Sequence, residues 1–271
     1  MPWNSEHTKW LKKINGNLTT SDGKNVLLLE FTPDFHDTET ISKWAKHFRN
    51  HYCLDTEIDI LREGTGFTRK DYLLNLKFPT ERGFGPGIRS GDFSEILIAD
   101  YIEFLMLNWV PRTRYGNKVI RDESTKGSDL IGFKFYDENQ TVNDILTMIE
   151  VKAQFSGKNA NPRLQDAITD SIKDEFRKAE SLNAMKQRLL DKERHQDVNK
   201  IARFQNPVDK PYTTRYGAAA LFSNNIYDAT VINTTIVSGH PYNSELFLIV
   251  LKGDNLMDIV NNLFKIAADE S

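Results

Sequence analysis

The stretch ILTMIEVKAQF, residues 145–155, constrains this chain more than any other. In a strand, residues two apart share a face, so Ile149 and Val151 point one way while Glu150, Lys152 and Gln154 point the other. A carboxylate and an ammonium inside an apolar run are costly unless they are paired or serve chemistry. A glutamate–lysine pair on an exposed strand face would be ordinary and worth little. Here the pair is flanked by apolar residues, and a second apolar run, KGSDLIGFKF (126–135), places Asp129 at its mouth. If the two runs are neighbouring strands, Asp129 stands beside Glu150. Two carboxylates and a main-chain carbonyl make a hard, oxygen-rich site suited to magnesium or manganese. Lys152 could then stabilise charge on a phosphate or position an attacking water, and Gln154 on the same face could touch either.

A third carboxylate, Glu95, lies in GDFSEILIADYIEF. On a helix packed against the sheet it could reach the metal or order its waters. The spacing Asp92-x-x-Glu95 also matches a capping box, in which Glu95 would fold back onto the cap amide. Both readings stay open at this stage.

Bulk properties exclude several classes. With 271 residues, 39% hydrophobic and 27% charged, the chain can bury a core without staples. Its single cysteine, Cys53, rules out an intrachain disulfide framework and a thiolate cluster, which suits a reducing, cytoplasmic setting. The start, MPWNSEHTKWLKK, lacks the apolar core of a signal peptide, and no apolar run is long enough to span a bilayer. A net charge of -3 is not that of a basic nucleic-acid coat. Between Lys158 and Arg215, however, 13 basic residues face 9 acidic ones, a local excess of +4.

The periodicity predicts a strand over 25–31, a helix over 38–51, and further strands at 59–62 and 72–78. ERGFGPGIRSGD, with four glycines and a proline, reads as a flexible linker and domain boundary. It divides an N-terminal α/β accessory or partner-binding region, 1–88, from a second domain, 89–271. Beyond it the pattern predicts a helix from about Asp92 to Asn108, then strands at 129–135 and 146–155. A helix opened by Asn161-Pro162 follows, with Leu164, Ile168, Ile172 and Phe176 on one stripe. More helix is expected over 182–204, with a break near 179–183. TRYGAAALF reads as a tightly packed helix with Tyr216 in the core or at an interface. Strands at 229–237 and 245–251 and a closing helix through Ile259, Leu263 and Ile266 complete an α/β pattern.

Other residues carry weaker signals. Arg112 and Arg114 in PRTRYG, and Arg163 near a helix start, are candidate phosphate contacts; Lys118 and Arg121 are weaker ones. His36, His47, His51, His195 and His240 share no metal-ligand spacing, and His47 and His51 lack the adjacent glutamate of a metalloprotease helix. GFGPG is not followed by Gly-Lys-Ser/Thr and is no phosphate loop. Trp3, Trp10, Trp44 and Trp109 are read as core or contact residues.

Asp129, a spacer of about twenty residues, and Glu150-Val151-Lys152 together resemble the PD-(D/E)xK nuclease superfamily, with Ser128 where that motif usually has proline. The resemblance implies a mixed central sheet flanked by helices, in the manner of a restriction endonuclease. It also places Glu95 as the upstream helix glutamate, Asp129 as the first acidic residue, and Glu150 and Lys152 as the E-x-K pair. A narrower resemblance rests on GDFSEILIADYIEF, RYGNKVIRDESTKGSDLIGFKF, IEVKAQFSG and LFLIVLKGDNLMDIV, which look like HamA, the nuclease component of the Hachiman antiphage system. That likeness implies a superfamily 2 helicase partner, HamB, which restrains a magnesium- or manganese-dependent DNA-degrading activity. Two alternatives are a silent nuclease-fold module that regulates a helicase, and a nuclease acting on RNA.

Overall fold

The computed structural model describes residues 3–139 and 141–271. Six strands form one mixed sheet: β1 (Leu11–Lys13), β2 (Val26–Phe31), β3 (Leu130–Lys134), β4 (Ile145–Gln154), β5 (Thr213–Ser223) and β6 (Phe247–Gly253). Their spatial order is β1-β2-β6-β5-β4-β3. The four strands β2, β6, β5 and β4 run parallel, and an antiparallel strand closes each edge. Helices cover both faces, as parallel strands require. One layer holds α1 (Thr38–Tyr52), α4 (Gly85–Asp100) and α9 (Leu256–Asp269). The other holds α5 (Arg163–Ser171), α6 (Asp174–Asp191) and α7 (His195–Ala202). The architecture is consistent with a PD-(D/E)xK-like mixed sheet flanked by helices.

Alternation in β4 splits its side chains as its pattern predicts: Ile149 and Val151 enter the α1–α4–α9 core, Leu146 and Met148 the opposite one. Several other expectations are corrected. TRYGAAALF is the central strand β5, not a helix. Its alanines favour a helix locally, but a strand buried on both faces needs small residues where helices press on it. A Cβ on Gly217 would stand 2.6 Å from the Phe247 ring on the neighbouring strand. The segments 59–62 and 72–78 are helical: α2 (Ile58–Arg62), then α3 (Arg69–Tyr72) running into a π-turn, Leu73–Lys77. The expected strand at 229–237 is α8 (Ala229–Asn233), capped by the Asp228 carboxylate.

The glycine-rich stretch read as a linker belongs to α4 from Gly85 onward, with Pro86 in its first turn. Asp92 is therefore mid-helix and caps nothing; it accepts from the Tyr52 hydroxyl (2.8 Å) and pairs with Lys118 (2.5 Å). Residues of the 1–88 segment supply β1 and β2 to the same sheet. Helix α6 runs unbroken through 179–183, and the break comes after Asp191 instead. Leu164 and Ile168 are buried as the stripe predicts, but Phe176 is 83% exposed, because α5 ends at Ser171 and a new helix axis begins. Among the described residues no helix is long and apolar enough to cross a membrane.

Candidate metal centre and its surroundings

The antiparallel register pairs Leu130 with Ile149, so Asp129, one residue before β3, lies opposite Glu150. The Val151 amide donates to Asp129 Oδ2 (3.1 Å), which ties the aspartate to β4. Glu95 comes from α4 in the opposite layer and meets this pair at the edge of the sheet. All three line one cavity of about 690 Å³, closed on its far side by α6.

Two cations hold the acids apart. Arg114 pairs with Glu95 (2.8 Å) and with Asp129 (2.8 Å), and its guanidinium also donates to the carbonyls of Ser128 and Thr125. Lys152 pairs with Glu150 (2.7 Å) and with Asp170 of α5 (2.9 Å). Tyr115 donates its hydroxyl to Glu95 (2.5 Å). Burial pushes the Glu95 carboxyl up to about 8; Arg114 and the Tyr115 hydrogen bond pull against this, while Asp129 and Asp92 add to it. Burial, then the charge of Asp129, pushes Glu150 up to about 8 as well, against Lys152. Burial alone would lower Lys152, but its bonds to Glu150 and Asp170 outweigh it and keep the ammonium above the usual lysine range. The protonation pressure on both glutamates is what removing carboxylates from water without a full complement of cations produces.

The donor set suits a hard divalent ion. All three side chains offer oxygen, and Glu150 Oε2 is buried without a hydrogen-bond partner. Asp174, at the start of α6, is a further fully buried carboxylate beside Ser128 and Asp129, although it does not line the cavity. Burial and the nearby Asp129 push it up to about 6, with Ser128 acting in the opposite direction. Sequence pattern gave no sign of Asp174, because its relation to Asp129 exists only once α6 packs.

The remaining predicted residues separate. Gln154, on the Glu150 face, is spent on structure: it accepts from the Asn161 amide (2.8 Å) and donates to the Asn159 carbonyl (2.9 Å), which shapes the turn into α5. Arg163 pairs with Asp166 in the first turn of α5 (3.1 Å). Lys118 is buried against Asp92, and Arg121 donates to the Leu74 carbonyl (2.7 Å). Arg112 lies outside the acidic set, with its side chain 1% exposed.

Arg112 belongs to a second cluster that no single segment reveals. His7, from the turn Glu6–Trp10, and His47, from α1, contact the two oxygens of Asp100 at 2.8 and 3.0 Å. Arg112 pairs with Asp100 (2.7 Å) and Glu103 (2.5 Å) and donates to His51 Nε2 (2.9 Å). The ligand atoms of His7, His47 and Asp100 lie within 4.8 Å of one another, close enough to coordinate a divalent ion. Glu95, Asp129 and Glu150 are more widely spaced, with Arg114 between the first two. Burial pushes His47 down to about 4, overriding the pull of Asp100. Burial and the Arg112 charge likewise hold His51 well below the ordinary histidine range.

The HamA family profile matches residues 5–267, nearly the whole chain. This chain belongs to the HamA family. No curated protein matches it. Membership covers both layers of the sheet and every residue of the two clusters, so the nuclease-like site and the histidine cluster sit within one HamA unit.

Proposed function

We propose that this HamA-family chain is a divalent-metal-dependent nuclease that hydrolyses phosphodiester bonds in DNA, as an effector of cytoplasmic antiphage defence restrained by a helicase partner. The observation that carries the chemistry is Glu150 opposite Asp129 in one cavity, with Lys152 beside it and a buried, unpartnered Glu150 oxygen. Asp129 and Glu150 would hold the magnesium or manganese ion, with Glu95 assisting. The ion supplies Lewis acidity and lowers the pKa of bound water. Lys152 offsets charge on the attacked phosphate and is held in place by Asp170. The histidine cluster is the weaker candidate for that ion, since it is closed to solvent and Asp100 already carries the Arg112 cation.

Arg114 occupies the position between Glu95 and Asp129 that a cation would take. In this reading the acids are latched, and full activity requires Arg114 to swing out, the kind of local rearrangement a partner can drive. DNA and a HamB-type superfamily 2 helicase as partners, and a partner-binding role for residues 1–88, follow from the family resemblance. The same cavity is equally compatible with RNA.

The test is cleavage of plasmid and linear DNA, and of RNA, by the protein alone and with its helicase partner. Magnesium or manganese is supplied, and ATP where the helicase is present. Wild type is compared with Glu150→Ala and Lys152→Ala. Loss of cleavage in both folded variants supports the reading. Failure to cleave under every condition, with both variants still functional in cells, would leave a nuclease-fold module that regulates a helicase.

A further inference from the structure

Helix α6 turns one face toward the cavity. Arg177, Ser181, Ala184 and Arg188, at successive steps of four, three and four residues, lie along it and line the same space as Glu95, Asp129 and Glu150. The two arginines are eleven residues apart, a rise of about 16 Å along the helix. Ser181 fixes this face to the acidic centre: the Ser128 amide donates to its hydroxyl (3.3 Å). The arginines are thus held at a set place relative to Asp129.

Neither Arg177 nor Arg188 has an ion pair or side-chain hydrogen bond among the described residues, whereas Arg112 and Arg114, which line the same cavity, have both. Glu180 lines the cavity too, but it is not within ion-pair distance of either. Arg188 is partly buried, and burial together with the charge of Arg114 disfavours its cation. Two guanidinium groups that face one cavity without an ion-pair partner have donor forks left over, and the planar fork matches phosphate oxygens. The acid whose field Arg177 does feel, Asp174, is not within ion-pair distance. Lys126 at the cavity lip adds to the same field. The wall opposite is acidic, so the cavity has a cationic side and a metal-holding side.

We propose that Arg177 and Arg188 form a phosphate track that holds one polynucleotide strand against the acidic centre. A cavity of about 690 Å³ has room for a short run of a single strand, and the track is assigned to a single strand on that ground. The track rests on the nuclease reading of this site, but it is a binding claim and is tested without catalysis.

The probe is a fluorescein-labelled single-stranded oligodeoxynucleotide, titrated with the full chain in EDTA and followed by anisotropy over a series of salt concentrations. Arg177→Gln/Arg188→Gln should weaken binding about tenfold or more at low salt and reduce the slope of log K against log salt by about 0.7 per arginine. Its melting temperature should hold or rise, because two unpaired cations are removed; a structural role would lower it. Glu150→Gln should keep the affinity and salt slope while losing cleavage in magnesium. Wild-type affinity and slope in the double variant would overturn the track while leaving the nuclease reading intact. Binding of unlabelled duplex as tight as that of the single strand would overturn the single-strand assignment. No wild-type binding of either would overturn the track. Cleavage that survives Glu150→Gln would instead overturn the assignment of the catalytic centre to this site, whatever the arginines do.

Discussion

The two charged clusters of this molecule are built from the same parts and are finished differently. Around Asp100, two histidines and Arg112 satisfy every carboxylate oxygen, and the group is closed to solvent. Around Asp129 and Glu150, cations satisfy some oxygens, others have no partner, and the group opens on a cavity. Both clusters keep buried polar atoms without a hydrogen-bond partner, His7 Nδ1 and Arg112 Nη2 in the first and Glu150 Oε2 in the second. What separates them is that Asp100 has both oxygens engaged, whereas Glu150 has a carboxylate oxygen left over beside a cavity, and so capacity for a ligand. Arg112 and Arg114 are two residues apart yet serve the two cases. Arg112 takes a left-handed backbone conformation, φ 52°, that costs about 1–3 kcal/mol in a non-glycine residue and turns its guanidinium into the closed cluster.

If that contrast is right, Asp100→Ala should be the most damaging single change to stability. It strands a buried arginine, and the expected loss is about 3–5 kcal/mol in urea unfolding; a loss under about 1 kcal/mol would mean the cluster does not lock the fold. Glu150→Gln should do the reverse. Cleavage falls by about 10³-fold, the rate equivalent of the several kcal/mol a metal site supplies, while urea stability is kept or slightly raised. An equal stability loss in both variants would erase the distinction.

Arg114→Ala sharpens the comparison further. Without metal the protein should lose about 2 kcal/mol, because Glu95 and Asp129 are left facing each other. Added manganese should then raise its melting temperature by more than it raises that of wild type. An unchanged manganese response would argue against the latch. The gentlest probe is pH. His47 is held down at about 4 in the folded protein, against about 6.5 in the unfolded chain. Between those values the unfolded chain binds a proton that the folded one refuses, so stability falls as the pH drops through the window. The slope is about 1.4 kcal/mol per pH unit for this group, and His51 adds to it in the same direction. His47→Gln should flatten the profile.

The sequence exposes the open cluster far better than the closed one. Glu150 and Lys152 stand out because a two-residue period puts charge on an otherwise apolar strand, and Asp129 follows from the neighbouring run. The closed cluster draws His7, His47, Asp100 and Arg112 from four separate segments, so no spacing marks it. Strand β5 was hidden for another reason: Gly217 to Ala220 carry no β-branched residue, and only the packing of helices on both faces makes small side chains the right choice there. Helix α4 was hidden at its start by Gly85, Gly87 and Gly91, which weaken a helix locally but are outvoted by its buried far half. The basic excess from Lys158 to Arg215 does not single out Arg177 and Arg188, since a sequence does not reveal which cations lack partners.

The sheet has one more consequence. Strand β6 lies between β2 and β5, with Val26 paired to Leu248 and Gly217 to Phe247. Among the six described strands, the last in sequence is therefore the one that joins β1 and β2 to the strands beside the acids. During synthesis β4 and β5 emerge before β6, and their sheet keeps an unpaired edge until β6 joins it. A chain cut between β5 and β6 is thus left with a split scaffold, in which the strands beside the acids have lost their connection to β1 and β2.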